Sequence, residues 1–428
     1  MNNGRTIAFF PEAAFGPALN SVGIAQACRA LGHRAVFMRD VGFRGVFAKY
    51  GFEEFEVPMS APMAPEDSAK YWSDFITRHI ANFRKSPFDQ LDNYVKECWE
   101  AIIDTARWAQ KGLPAALEAI RPDLVCVDNV ILFPAIKQYG VPWVRIVSCS
   151  ENEVEDPAIA PYLSGCTEGD VDGFRRFRAR YLEVIAPLHA QFNAFLVDCG
   201  EPPYPEGCFF EESPYMNLLL YPAPTRFPRS RPLDPARFQY LDGCVREDED
   251  YTVPDFGSRN DQPLIYVSFG TLGASDTELM ARIIRVMGTL PYCALVNVGD
   301  YRDSYADVPD NVHLAPWFPQ PSVIPQVDAV IHHGGNNTFT ECLYFGKPAL
   351  IMPYVWDGHD NATRIQETGH GLKLPRYDWS DADLGAALHT LLNDAPMRRK
   401  LADTRAFMQS GHGPQKAARV LDALLRQR

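Results

Sequence analysis

The chain of 428 residues has no apolar run near the ~18–20 residues that a membrane span requires. Its N-terminal apolar stretch, TIAFF, has neither the length nor the cleavage pattern of a secretory leader. Both absences point to a cytoplasmic protein with no membrane span. None of the ten cysteines forms a CxxC pair. Most lie in apolar surroundings, so they read as buried reduced thiols and not as a disulfide framework or a zinc site. Cations are also short, with 41 Lys and Arg against 54 Asp and Glu and a formal net charge of −13. Gripping nucleic acid takes clustered cations, so that function class is excluded, although one small anionic ligand in a local pocket is not. Main-state disorder is excluded by a 46% hydrophobic and 22% charged composition. One core rarely grows past ~250–300 residues, which makes this chain roughly two to three domains.

What is present is alternation. Thr6–Phe10 reads as a buried first strand and Pro11–Asn20 as a loop rich in Gly, Pro and Ala. Val22, Ala25, Cys28 and Leu31 then recur at helical spacing before a stop at Gly32. Ala35–Met38, Phe52–Val57, Asp123–Val127 (ending at Asp128) and Trp143–Val147 read as strands. Residues 60–120 read as helical and aromatic, with Tyr71, Trp72, Phe75, Phe83, Tyr94, Trp99 and Trp108. After a proline-dense, polar stretch, alternation restarts. Strands are predicted at Leu264–Phe269, Cys293–Val298, Asn311–Leu314, Asp328–Ile331 and Ala349–Met352. Helices are predicted at Asp276–Met287, Thr338–Tyr344, Ala417–Leu425 and, behind a capping box of Ser380 and Asp383, Ser380–Leu392. The expectation is an α/β chain of two doubly wound halves. Its parts are residues 1–225, a linker at 226–262, residues 263–405, and a terminal helix at 406–428 that packs back on the first half.

In open α/β sheets, ligands sit outside the carboxyl ends of the strands. Four such ends in the second half carry polar clusters. Ser268-Phe269-Gly270-Thr271 offers a close backbone approach and a hydroxyl for phosphate, though alone it reads as a tight turn. Trp317-Phe318-Pro319-Gln320 offers a stacking face and an amide for a base or ribose; alone, Trp317 reads equally as core. His332-His333-Gly334-Gly335-Asn336-Asn337-Thr338, with Glu341 one turn on, ends a strand and opens a helix. Free amides and the positive dipole end there suit a diphosphate, and a plain capped helix does not need two His and two Asn. Trp356-Asp357-Gly358-His359-Asp360-Asn361-Ala362 places a carboxylate where a sugar ring could sit, or where Asp simply caps a helix.

In order and spacing, the run from Trp317 to Leu374 resembles the donor-binding signature of family 1 glycosyltransferases, the UDP-glycosyltransferase superfamily. The likeness is to the bacterial enzymes that decorate macrolides, flavonoids and other natural products. It implies a GT-B fold, two Rossmann-like domains facing across a cleft, with the acceptor on the N-terminal domain and the donor on the C-terminal one. It implies inverting transfer from a nucleotide diphosphosugar, UDP- or dTDP-linked, to a small-molecule acceptor, by a monomer or homodimer with no cofactor and no metal. By resemblance Trp317 stacks on the base, Gln320 and Glu341 bind ribose, and Asp357 binds sugar hydroxyls. His332, Asn336, Asn337 and Thr338 hold the phosphates with Gly270 and Thr271. Gly16, Phe318, Gly334 and Gly358 complete the expected binding set.

Two departures from the family stand out. Many relatives have D-Q where this chain has Asp357-Gly358. The family's catalytic His in a first loop like H-G-H-V-N-P falls on Pro17, in Phe15-Gly16-Pro17-Ala18-Leu19-Asn20. Asp128 matches the Asp that usually orients that His. Asp128, the best placed at its strand end, or Glu12 as second candidate then takes the base role, or the acceptor is an amine or acidic hydroxyl, or the chain is a non-catalytic partner of another glycosyltransferase. The intact donor signature favours catalysis. A GT-B sugar-nucleotide epimerase would lack an acceptor pocket, and the aromatic N-terminal helices speak against it.

Overall fold

The computed structural model describes residues 4–62, 74–75 and 77–427; Tyr71 and Trp72 lie outside the described residues. Two all-parallel sheets organise the chain. The first contains β1 (Thr6–Pro11), β2 (Arg34–Arg39), β3 (Glu53–Glu56), β4 (Leu124–Asp128), β5 (Trp143–Val147), β6 (Met216–Leu219) and β7 (Phe238–Tyr240). Their order is β3-β2-β1-β4-β5-β6-β7. The second contains β8 (Leu264–Ser268), β9 (Cys293–Asn297), β10 (Val312–Ala315), β11 (Ala329–His332), β12 (Ala349–Ile351) and β13 (Gly371–Lys373), in the order β10-β9-β8-β11-β12-β13. Helices cover both faces, so β4 and β8 are buried along their whole length and their sequences are continuous apolar runs.

Strand order reverses between β1 and β4 and again between β8 and β11, and ligand crevices open at such points. Register decides what meets there. Pro11 pairs with Asp128, which brings the following Glu12 beside the end of β4. His332 pairs with Ser268 at the matching point of the second sheet.

The Pro11–Asn20 loop is shorter than its composition suggests. Helix α1 (Phe15–Ala30) begins at Phe15, with Pro17 in the first turn, where a missing amide hydrogen costs no intrahelical bond. Two long helices, α2 (Lys96–Ile120) and α3 (Val171–Asp198), pack with the first sheet around Trp99, Phe192 and Phe209. Phe238–Tyr240, inside the stretch read as linker, is instead the edge strand β7 of the first sheet.

The second sheet carries α4 (Thr277–Met287), α5 (Asn336–Phe345), α6 (Gly358–Glu367), α7 (Asp381–Asn393) and α8 (Ala395–Gly411). Helix α7 starts on the Ser380/Asp383 capping box. The last helix, α9 (Gly413–Arg426), returns to the first domain and buries Ala417, Ala418, Leu421 and Leu425 against Val22 and Ile24 of α1.

Hydrogen bonds lace the domains together. Asp360 accepts from the Leu163 and Gly165 amides at 2.7 and 2.8 Å. Arg364 donates to the Thr225 and Arg226 carbonyls at 3.2 and 2.6 Å. Gln90 donates to the Tyr354 carbonyl at 2.6 Å.

Candidate active site

The C-terminal side of the cleft is built on the start of α5. The helix follows Gly334, whose φ of +97° is open to glycine, and its N-cap residue, Gly335, has no side chain to cap the first turn. These amides and the helix dipole make a site for negative charge. Gly334 and Gly358 are fixed by packing. A Cβ on Gly334 would lie 2.6 Å from the Gly358 carbonyl, and one on Gly358 would lie 2.6 Å from the His333 carbonyl. The two strand-to-helix loops therefore cross with no room for a side chain, which accounts for glycine after Asp357.

His332 is fully buried, and burial holds its pKa well below the ordinary value, so its ring is neutral. Its Nδ1 accepts from the Gly334 amide at 3.1 Å, which leaves the proton on Nε2. That nitrogen has no partner among the described residues. His333, absent from the expected set, is half-buried between Gly270 and Gly335: its Nε2 lies 2.6 Å from where a Gly335 Cβ would be. Burial, then Arg376, lowers its pKa to about 4. The His-His pair at a strand end was the available signal, because successive residues there project to opposite sides. Gly270 has a φ of +69° and Thr271 is exposed.

Gln320, Thr338 and Glu341 converge. The Gln320 amide donates to Glu341 at 2.8 Å and to the Thr338 hydroxyl at 3.2 Å, and its carbonyl accepts from Tyr266 at 3.2 Å. Thr338, expected at the phosphates, is thus bonded to the expected ribose corner. Glu341 is also ion-paired to Arg246 at 3.2 Å, with both side chains at most 2% exposed. Arg246 comes from the stretch read as linker, and no local pattern links it to a residue 95 positions away.

Trp317 is 39% exposed. Phe318 corrects the expectation: it is 1% exposed and packs edge-on against Tyr251 and Tyr266, inside the second core. Of two adjacent aromatics, one faces the cleft and the other fills the domain.

Asn336 spends its side-chain amide on the Ser148 carbonyl of the opposite domain, at 2.7 Å. Asn337 is half-buried in the first turn of α5. The Asp357 carboxylate accepts from the Asn336 backbone amide, and burial followed by the nearby Asp360 raises its pKa to about 8.

The N-terminal side offers carboxylates. The Glu12 amide donates to the Asp128 carbonyl at 2.8 Å. Asp128 is 3% exposed; one carboxyl oxygen accepts from the Ser148 hydroxyl at 2.7 Å and the other has no partner. Burial, reinforced by Glu153 and Glu12, pushes its pKa well above the carboxylate range. Glu12 is half-buried, and burial, then Glu153, raises its pKa to about 7. Glu153 in turn is held by Arg145 at 2.5 Å. Pro17 in α1 supplies no proton-transfer group, and the space around Gly16 is open.

An aromatic cluster spans the two domains. Trp99 stacks on Phe209 at 3.9 Å, and Trp356 of the other domain lies 6.4 Å from Trp99 and 6.2 Å from Tyr162. Trp356 has a φ of +55°, an uncommon conformation for a bulky residue.

Residues 294–424 match the family model described as Erythromycin biosynthesis protein CIII-like, C-terminal domain. The demethyllactenocin mycarosyltransferase of Streptomyces fradiae is 23% identical over 98% of this chain and 86% of its own. The solved glycotransferase of kitacinnamycin aligns with a TM-score of 0.76 at 20% identity, covering 99% of this chain and 100% of its own. The glycosyltransferase VinC, in complex with dTDP, aligns at 0.67 and 18% identity, covering 99% and 100%.

Proposed function

We propose that this chain, a GT-B glycosyltransferase similar to the enzymes of bacterial antibiotic biosynthesis, moves a sugar from a dTDP- or UDP-linked donor to a small natural-product hydroxyl with inversion, using Glu12 as the base. The observation that carries this reading is Glu12 itself. It is a half-buried carboxylate at the β1/β4 reversal, held by its own amide to the end of β4. Burial and Glu153 raise it to about 7, near the value at which a general base is most effective. Asp128 is only 3% exposed and one of its oxygens is bonded to the Ser148 hydroxyl, so it is assigned a positioning role through Ser148.

In the reaction, Glu12 takes the proton from the acceptor hydroxyl. The oxygen attacks the anomeric carbon opposite the diphosphate, a C–O bond forms, and the bond to the leaving oxygen breaks. The diphosphate keeps the electron pair. The α5 amides and the His332 Nε2–H face that growing charge, where fixed donors are worth most. Trp317 stacks on the base and the Gln320–Glu341 corner takes the ribose. Tyr162 and Trp356, both partly exposed and backed by the buried Trp99–Phe209 stack, make the apolar surface that receives the acceptor. Because the C-terminal half carries a complete set of donor groups, the same reading needs no divalent metal. A dTDP complex of VinC supports thymine among the candidate bases. The named relatives are themselves transferases, so a non-catalytic partner role gains no support from them.

The test is a thermal-shift panel of nucleotides, followed by turnover with the stabilising donor class and a set of phenolic and macrolide hydroxyl acceptors. A bound nucleotide raises apparent stability by mass action. Product from wild-type protein and none from Glu12→Gln supports the reading; equal rates from both overturn the assignment of the base.

A further inference from the structure

Phe15 and Trp317 face each other across the cleft with ring centroids 5.5 Å apart and planes 48° apart. Both are large apolar side chains left well exposed, Phe15 at 37% and Trp317 at 39%. Phe15 opens α1 in the N-terminal domain; Trp317 follows β10 in the C-terminal domain. Neither ring fills a core. We propose that Phe15 is the second wall of the nucleobase site, so that the donor's base is held between an aromatic ring from each domain. This rests on the placement of the nucleotide at Trp317 proposed above and adds to it a residue of the opposite domain.

Three observations favour the assignment. First, Phe15 is supported from behind. Phe43 lies 5.1 Å from it, in a turn that Asp40 caps by accepting from the Gly42 amide. The neighbouring segment is pinned by Glu54, whose carboxylate accepts from the amides of Gly45, Phe47 and Ala48 at 2.8, 2.9 and 2.9 Å. A ring already fixed in place loses little freedom when a ligand stacks on it.

Second, the ribose corner fixes the direction. Gln320, three residues after Trp317, is bonded to Glu341, and Arg246 holds Glu341 from the far side. A nucleoside whose ribose reaches this corner has its base at Trp317, where the ring facing it is Phe15.

Third, the geometry is close to that of a sandwich. Stacked atoms sit ~3.5 Å apart, so a base between two rings sets them about 7 Å apart and parallel. From 5.5 Å and 48°, a shift of α1 by under two ångströms with a rotation of one ring suffices. Base stacking tolerates any base, because each has a π face. The sandwich therefore strengthens nucleotide binding without choosing uracil over thymine. It also makes the nucleoside a bridge between the domains, so donor binding favours the closed cleft.

The experiment measures equilibrium binding of UDP, dTDP and inorganic pyrophosphate to the full chain by calorimetry. The variants are Phe15→Ala, Phe15→Tyr and Trp317→Ala, each checked for an unchanged melting transition. Loss of one stacking partner is expected to weaken UDP and dTDP by about 5- to 150-fold in Phe15→Ala, with pyrophosphate unaffected. Phe15→Tyr is expected to keep wild-type affinity. If Trp317→Ala weakens both nucleotides while Phe15→Ala leaves them unchanged or tighter, the inference falls and the Trp317 reading stands. If neither variant changes nucleotide affinity, both fall. If Phe15→Ala weakens pyrophosphate equally, or Phe15→Tyr fails to restore binding, Phe15 acts on the fold and not on the base, and the inference again falls.

Discussion

Asn336 and Ser148 are joined across the cleft: the Asn336 amide donates to the Ser148 carbonyl at 2.7 Å, while the Ser148 hydroxyl donates to Asp128 at 2.7 Å. One residue thus couples the acid at the end of β4 to the first turn of α5. In the proposed reaction these two hydrogen bonds hold in register the side of the cleft that prepares the nucleophile and the side that receives the leaving group. Proximity of this kind supplies much of an enzyme's rate when it is fixed to within about an ångström.

Glu12→Gln is expected to lower kcat on a hydroxyl acceptor by ~10²–10⁴-fold, the usual cost of losing a general base. Asp128→Asn keeps the shape and should cost far less. Because Glu12 must be deprotonated and its pKa is raised to about 7, the wild-type kcat/KM should rise with pH through about 7 and level off above it. A pH–rate profile that is flat from pH 5 to 9 contradicts this. On an amine acceptor, the unprotonated nitrogen attacks unaided and the Glu12→Gln loss should shrink.

His332→Ala is expected to cost ~10²–10³-fold in kcat, by analogy with the loss of one donor aimed at developing charge. Donor affinity should fall much less, since the charge grows only as the bond breaks. Steady-state kinetics separate the two. A raised KM with unchanged kcat would place His332 in ground-state binding.

Stability should fall as pH rises. Burial raises the Asp357 pKa from 3.8 to about 8, so the folded protein holds that proton more tightly than the unfolded chain does. The stabilising effect is complete below about 3.8 and is lost as pH climbs through about 8. A shift of this size corresponds to a contribution on the order of 5 kcal/mol at most. Urea midpoints measured at pH 5 and pH 8 should decrease, and Asp357→Asn should flatten the trend. An identical slope in the variant rules out Asp357 as its source.

Arg246→Met should destabilise the fold by roughly 3–5 kcal/mol, because it leaves the buried carboxylates of Glu341 and Asp248 without their cation. Adding Glu341→Gln should recover part of that loss, since Asp248 stays unpaired. Denaturant unfolding of the two single variants and the double variant gives the coupling directly; additive losses would show that the pair is not energetically joined.

Turnover should persist in excess EDTA. No group of three or more His, Cys, Asp or Glu that could hold a metal ion exists among the described residues. Activity abolished by EDTA and restored by magnesium or manganese would overturn the metal-free reading.

Strands buried on both faces were legible because they are unbroken apolar runs, and β4 and β8 lie where their sequences predict. The donor-side cluster was legible because Gln320, Thr338 and Glu341 belong to one compact stretch of chain. Other features were hidden for physical reasons. Gly16 and Pro17 carry loop composition, yet the first turn of a helix accepts both, so α1 starts before its apolar periodicity does. Phe238–Tyr240 is too short and too close to prolines to announce an edge strand. Trp317 and Phe318 are chemically alike, and only packing sends one to the cleft and the other to the core. The Arg246–Glu341 pair and the Phe15–Trp317 contact join residues far apart in sequence, so no local pattern reveals them.

The return of α9 to α1 makes the second domain an insertion within the first. The chain leaves the first sheet after β7 and comes back at Gly413, where a Cβ would lie 1.9 Å from the Gly243 carbonyl. The outgoing loop and the start of the incoming helix thus touch at one point, backbone to backbone. The two crossings therefore fasten the domains at one place, and the Asp360, Arg364 and Gln90 hydrogen bonds fasten them at others. A protein cut between β7 and β8 would separate α9 from the helix it covers, so the two sheets are not two independent folding units even though each has its own core.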